Sequence, residues 1–247
     1  MTILTEESLL KHWNLNAILF RDWYKEWISL FWNHIFEVSK FTDTLKARKR
    51  LAENCSYLLW AKATNHSLAS YTSLERGLVV DSALCARNAV ESLLLLELLC
   101  KDESEVLFEK WSKGDEFKPG WVRKELEKKK EVSVRDVIIS RGIEEDESDR
   151  FIYKWLSQIT HANLDSLEYI SRRVDKNSYE IQVGGFIQDE NTFINTIFAV
   201  LCMSINRTLS ICAGVFDVKY LEDSSSKYKS MLEVAQSLAK PKTTMTS

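Results

Sequence analysis

The stretch Ser73-LERGLVVDSALCARNAVESLLLLELL-Cys100 decides the fold class. Val79, Val80, Ala83, Leu84, Val90, Leu93, Leu94 and Leu98 leave it almost no polar side, so it reads as a helix buried in a core. Arg87, Asn88 and Glu91 nevertheless sit in its middle. Burying such groups unpaired is costly, so each is expected to have a partner. The apolar run from Leu93 to Leu99 is broken by Glu97 and is far too short to span a bilayer.

Upstream, Phe20, Trp23, Tyr24, Trp27, Phe31, Ile35 and Val38 recur at helical spacing within one segment, Glu6 to about Val38. Thr5 and Ser8 frame an N-cap with Glu6 and Glu7 in the first turn. A second segment runs from about Thr42 to Ser70 and carries the basic run Lys46, Arg48, Lys49 and Arg50, read as a solvated face.

Downstream, residues 101–144 form an irregular insert or lid. It holds short helices over Glu103–Trp111, Pro119–Lys130 and Val134–Ser140, with Pro119 suited to a first helical turn. Helix resumes from about Glu145 to Arg173. Over 175–190 the alternation Tyr179-Glu-Ile-Gln-Val183, the turn Gly184-Gly185 and a return at Phe186-Ile187 suggest a small hairpin. Apolar helix follows from about Asn191 to Val215, then an amphipathic one over Ser225–Ala239, and 240–247 reads as a disordered tail. The expectation is an all-α chain. About six long helices form a single bundle over 1–239, with short inserted helices and that one hairpin.

Composition agrees and narrows function. Seven glycines and two prolines in 247 residues leave few helix breakers. A net charge of −3 supplies no general attraction to nucleic acid or anionic membrane. Met1 to Leu10 lacks the basic flank and apolar centre of a signal peptide. The odd set Cys55, Cys85, Cys100, Cys202 and Cys212, without CxxC spacing, reads as reduced thiols of a cytoplasmic protein. Four scattered histidines make no metal pattern, and no cofactor is expected.

One polar constellation offers chemistry. Tyr153, Ser157, His161 and Asp165 are spaced by four and line one stripe of a helix. His161 is the natural proton carrier near neutral pH. If that helix meets the Ser73–Cys100 helix, Arg87, Asn88 and Glu91 join it, with Asn206 and Arg207 as further members. Two readings stand. The cluster is a satisfied network fixing helix packing. Alternatively, Arg87 holds a phosphodiester, Tyr153 donates a hydrogen bond and His161 shuttles a proton, as a metal-independent ribonuclease needs. A third use is a pocket for a nucleotide or small anion, lined by Asn88, Glu91, Ser157, Asp165 and Arg207. Trp13, Trp23, Trp27 and Trp32 are either core or a partner surface.

The run Ala86-RNAVESL-Leu94, followed by Tyr153-x-x-Leu156-Ser157-x-x-x-His161, resembles a group of poorly characterised bacterial helical proteins with RxxxE and YxxLSxxxH helices. The likeness covers Ser73 to Arg173. It implies an accessory protein of the kind found in phage-defence or toxin systems. The expected action is binding to another protein, such as an operon mate; a homodimer is a further expectation. A more distant likeness is to HEPN-like, abortive-infection helical proteins, whose ribonuclease signature places an arginine four to six residues before a histidine. Here Arg150 is the nearest arginine before His161, and ten residues lie between them.

Overall fold

A computed structural model of the chain describes residues 5–42, 51–128, 156, 171–173, 179–181 and 191–216. These are overwhelmingly helical. Seven helices occur among the described residues: α1 Glu6–Trp23, α2 Lys25–Thr42, α3 Leu51–Glu75, α4 Val79–Cys100, α5 Val106–Ser112, α6 Pro119–Lys128 and α7 Asn191–Phe216. None is long and apolar enough to cross a membrane.

The start of α1 is a reciprocal cap. The Thr5 hydroxyl accepts from the Ser8 amide at 3.2 Å, and the Thr5 amide donates to the Ser8 hydroxyl at 3.0 Å. Glu6 and Glu7 then lie against the positive end of the helix. The single segment expected over Glu6–Val38 is two helices, with a break at Tyr24, where φ is −116°. The ladder bridges it, since the Tyr24 amide donates to Phe20 at 3.0 Å and the Ile28 amide to Tyr24 at 2.9 Å. Neither glycine nor proline marks this break.

Gly77 sets the boundary between α3 and α4. At φ +75° it donates to the Leu74 carbonyl, while the Leu78 amide reaches back to Ser73. This left-handed C-terminal motif closes α3 and places Ser73 in α3, not at the head of the buried helix. Gly114, at φ +96°, ends α5 the same way, with the Asp115 amide donating to Lys110. The head of α5 is held by Asp102, whose buried carboxylate accepts from the Leu107 amide at 2.7 Å and from the Ser104 hydroxyl at 2.6 Å.

α4 lies along α3, and α7 packs across α4, α2 and α3; α1 covers α2 and α3, and α6 rests on α4. Every one of these helices contributes to the hydrophobic cluster, from Phe20 and Trp27 through Leu59 and Leu96 to Phe108, Val122 and Phe198. Phe198 is its aromatic centre. It stacks on Phe20 at 5.7 Å and on Trp27 at 5.6 Å, and meets Tyr24 at 6.1 Å. Tyr71 of α3 stacks on Phe31 at 5.0 Å and links this group to α2. The tryptophan set divides accordingly. Trp27 is core, Trp13 is half-buried beneath the Arg76 guanidinium, and Trp23 and Trp32 are exposed.

Outside the helices, β1 Ser171–Arg173 pairs antiparallel with β2 Tyr179–Ile181, Arg172 opposite Glu180. Tyr179–Ile181 therefore pairs with the segment before it. The expected turn at Gly184-Gly185 and return at Phe186-Ile187 lie outside the described residues, so the hairpin in that form is not seen. Also outside are the basic run 46–50, the helix expected at 134–140, most of 145–173, the helix expected at 225–239 and the tail 240–247. Leu156 alone of the Tyr153–His161 motif is described. It is helical and fully buried in the core cluster.

Candidate functional site

Among the described residues, two ion-pair groups involve charged side chains of α4. In the first, the Arg87 Nε donates to Glu91 Oε1 at 2.9 Å, one turn along the same helix, with both side chains partly buried. Asn88 beside them is half-buried, and its carbonyl accepts from the Ser92 hydroxyl at 2.8 Å. Arg87 is thus held by a carboxylate, as the cost of burying it predicted.

The second network centres on Glu97, whose side chain is 1% exposed. Arg207 reaches it from α7, Nη2 to Oε1 at 2.6 Å and Nε to Oε2 at 3.5 Å. Lys101, one turn further along α4, donates to the same Oε1 at 2.8 Å. A carboxylate in a core is tolerated when cations and their hydrogen bonds replace water, and two cations do so here. Both cationic side chains stay partly exposed, 29% for Arg207 and 22% for Lys101.

No family model, curated protein or solved structure matches this chain.

Arg207, expected as a further member of the Arg87–Glu91 cluster, pairs with Glu97 among the described residues. Its partner Glu97 lies six residues beyond Glu91, about 9 Å along the helix axis. Asn206 lies on α7, and its side chain is not among those described. Tyr153, Ser157, His161 and Asp165 lie outside the described residues; among the described residues Arg87 is brought onto Glu91. Glu97 was visible in the sequence as the one charge inside an apolar run, and Arg207 as an arginine midway along an apolar helix. The sequence shows both charges on apolar helices, but not that these two helices meet.

The described residues hold no group of three or more His, Cys, Asp and Glu side chains able to bind a metal. Cys85, Cys100 and Cys202 are not joined in disulfides. Burial pushes Cys202 far up, and burial followed by nearby Asp81 raises Cys85, so neither has thiolate character.

His34, which with His66 reads from the sequence as a single helix histidine of surface or core duty, is in the core. It is fully buried on α2, and its Nδ1 donates to the Leu30 carbonyl at 2.7 Å. Its Nε2 is buried without a hydrogen-bond partner among the described residues. Burial lowers its pKa from 6.5 to about 4, against smaller upward pulls from the Leu30 bond and Glu37. A neutral imidazole locked in this way fills the core and is closed to proton exchange with a substrate.

Proposed function

We propose that this chain is a bacterial accessory protein that works by binding another protein, in a phage-defence or toxin setting. The setting comes from the resemblance of Ala86–Leu94 and Tyr153–His161. The binding role has independent support from the surface of α1 and α2. Leu10, Leu15, Ile18, Trp23, Trp32 and Phe36 are each between 45 and 65% exposed. Such a concentration of large apolar side chains on the two N-terminal helices is the mark of a surface that another protein covers. Trp32 and Phe36 are four apart and share one side of α2, and rigid aromatics of this kind make anchors in partner pockets.

The paired state of Arg87 also favours binding over catalysis. An arginine already engaged by Glu91 must exchange that partner to hold a phosphodiester. The Arg87–Glu91 and Glu97–Arg207 pairs are read as supports of the bundle.

The test is co-expression with the products of the genes beside its own, comparing wild type with a Trp32→Ser/Phe36→Ser variant. A neighbour's product should co-purify with wild type and be lost at least tenfold from the variant at equal folded yield. Equal capture by both, or no capture by wild type, would overturn this surface.

A further inference from the structure

One stripe of α1 faces solvent and has an internal symmetry. Lys11, Leu15, Ile18 and Asp22 follow at spacings of four, three and four, so they lie within about 60° of one another around the helix. All four are exposed, whereas Asn16 and Phe20, on the far side, are the buried residues of α1. Ile18 is 65% exposed and Leu15 53%. The order along the stripe is cation, apolar, apolar, anion.

Read against itself in reverse, this order is complementary. With two copies of α1 antiparallel about a two-fold axis between Asn16 and Ala17, Leu15 of each faces Ile18 of the other, and Lys11 faces Asp22. Each contact then occurs twice, as isologous pairing requires. A parallel arrangement would set Lys11 on Lys11 and Asp22 on Asp22, and like charges facing one another oppose association. The 4-3-4 spacing is the seam spacing of paired helices.

We infer that the outer stripe of α1 is a homodimer interface, two copies of the chain pairing antiparallel through Leu15 and Ile18 and clamped by Lys11 with Asp22. The inference rests on the reading of this surface as a docking surface and assigns its α1 part to a second copy. Trp32 and Phe36 on α2 stay open to a different protein. α1 has 18 residues and spans about 27 Å, with two apolar residues per copy at the centre, which places the contact at the small end of specific interfaces. Micromolar dissociation is expected.

The experiment is sedimentation equilibrium of the full chain over a wide micromolar range, with wild type, Lys11→Asp and Asp22→Lys. Wild type should pass from monomer to dimer mass. Each single variant places like charges together at both ends of the seam and should weaken the dimer about tenfold or more. Mixing the two variants should restore a dimer, because one copy now carries two anions and the other two cations. Ile18→Glu should remain monomeric. Both charge changes are on the surface, and unchanged melting confirms their fold. Wild type monomeric throughout, single variants that dimerise like wild type, or a mixture that stays monomeric would each overturn the inference. Capture of a neighbour's product through Trp32 and Phe36 is a separate readout, so that reading can stand or fall without this one.

Discussion

Glu97 shows how much one side chain decides. Its carboxylate is sealed in the core and answered by Arg207 and Lys101, so removing it strands two cations at the α4–α7 junction. Glu97→Ala should therefore cost about 3–5 kcal/mol, seen as a lower urea midpoint at constant slope. Arg207→Ala should cost less, about 1–2 kcal/mol, because Lys101 still covers the carboxylate and the lost guanidinium was partly in water. Equal losses would mean that Glu97 is not the centre of the network. His34 gives a second residue-scale expectation. Its folded pKa of about 4 lies below the unfolded value of 6.5, so the unfolded chain takes up the proton first as pH falls. Stability should decline from about pH 6.5 to pH 4 and level off below, by about 3 kcal/mol in total for this group. Replacing it as His34→Leu should flatten that part of the melting-temperature profile; a profile as steep as wild type's would assign the acid sensitivity to other groups.

Helices, taken as elements, were legible to different degrees for physical reasons. α7 and α4 stand out because apolar residues on nearly every side can only mean burial, and α7 runs Asn191–Phe216 where Asn191–Val215 was read. The break at Tyr24 was not legible, since no helix-breaking residue marks it. The joint at Gly77 was written in the sequence but outweighed by apolar periodicity running through it. That joint is testable. An alanine there must adopt φ near +75°, which costs L-residues about 1–2 kcal/mol, so Gly77→Ala should lower stability by that amount in thermal melts. A neutral effect would show that the α3–α4 corner can relax. The site was legible only within elements. Arg87 and Glu91, four apart, could be paired from spacing alone, but Arg207 could not be assigned to Glu97, because periodicity says which charges are buried and not which helices meet.

Across the whole molecule, the aromatic cluster is what makes the helices interdependent. Phe198 comes from α7, Phe20 from α1, Tyr24 from the α1–α2 break, Trp27 from α2 and Tyr71 from α3, and their rings lie within 6.5 Å of Phe198. A load-sharing centre of this kind means that no one of these helices can leave without exposing the rings of the others. Phe198 is fully buried, so Phe198→Ala removes its packing and leaves a cavity, at about 3–5 kcal/mol. The form of the change is as informative as its size. Because the same cluster also takes in Phe108 of α5 and Val122 of α6, the substitution should move the unfolding of these described helices as one transition. Tryptophan fluorescence, from eight tryptophans that include Trp27 in the aromatic centre, Trp111 of α5 and Trp121 of α6, reports on side-chain packing, while far-UV circular dichroism reports on all helices together. The two signals should remain superimposable in urea for wild type and variant, both shifted to lower midpoint in Phe198→Ala. A variant whose fluorescence and dichroism separate would show instead that α5 and α6 hold to α4 without the aromatic centre, and that the core is two cooperating units joined along α4.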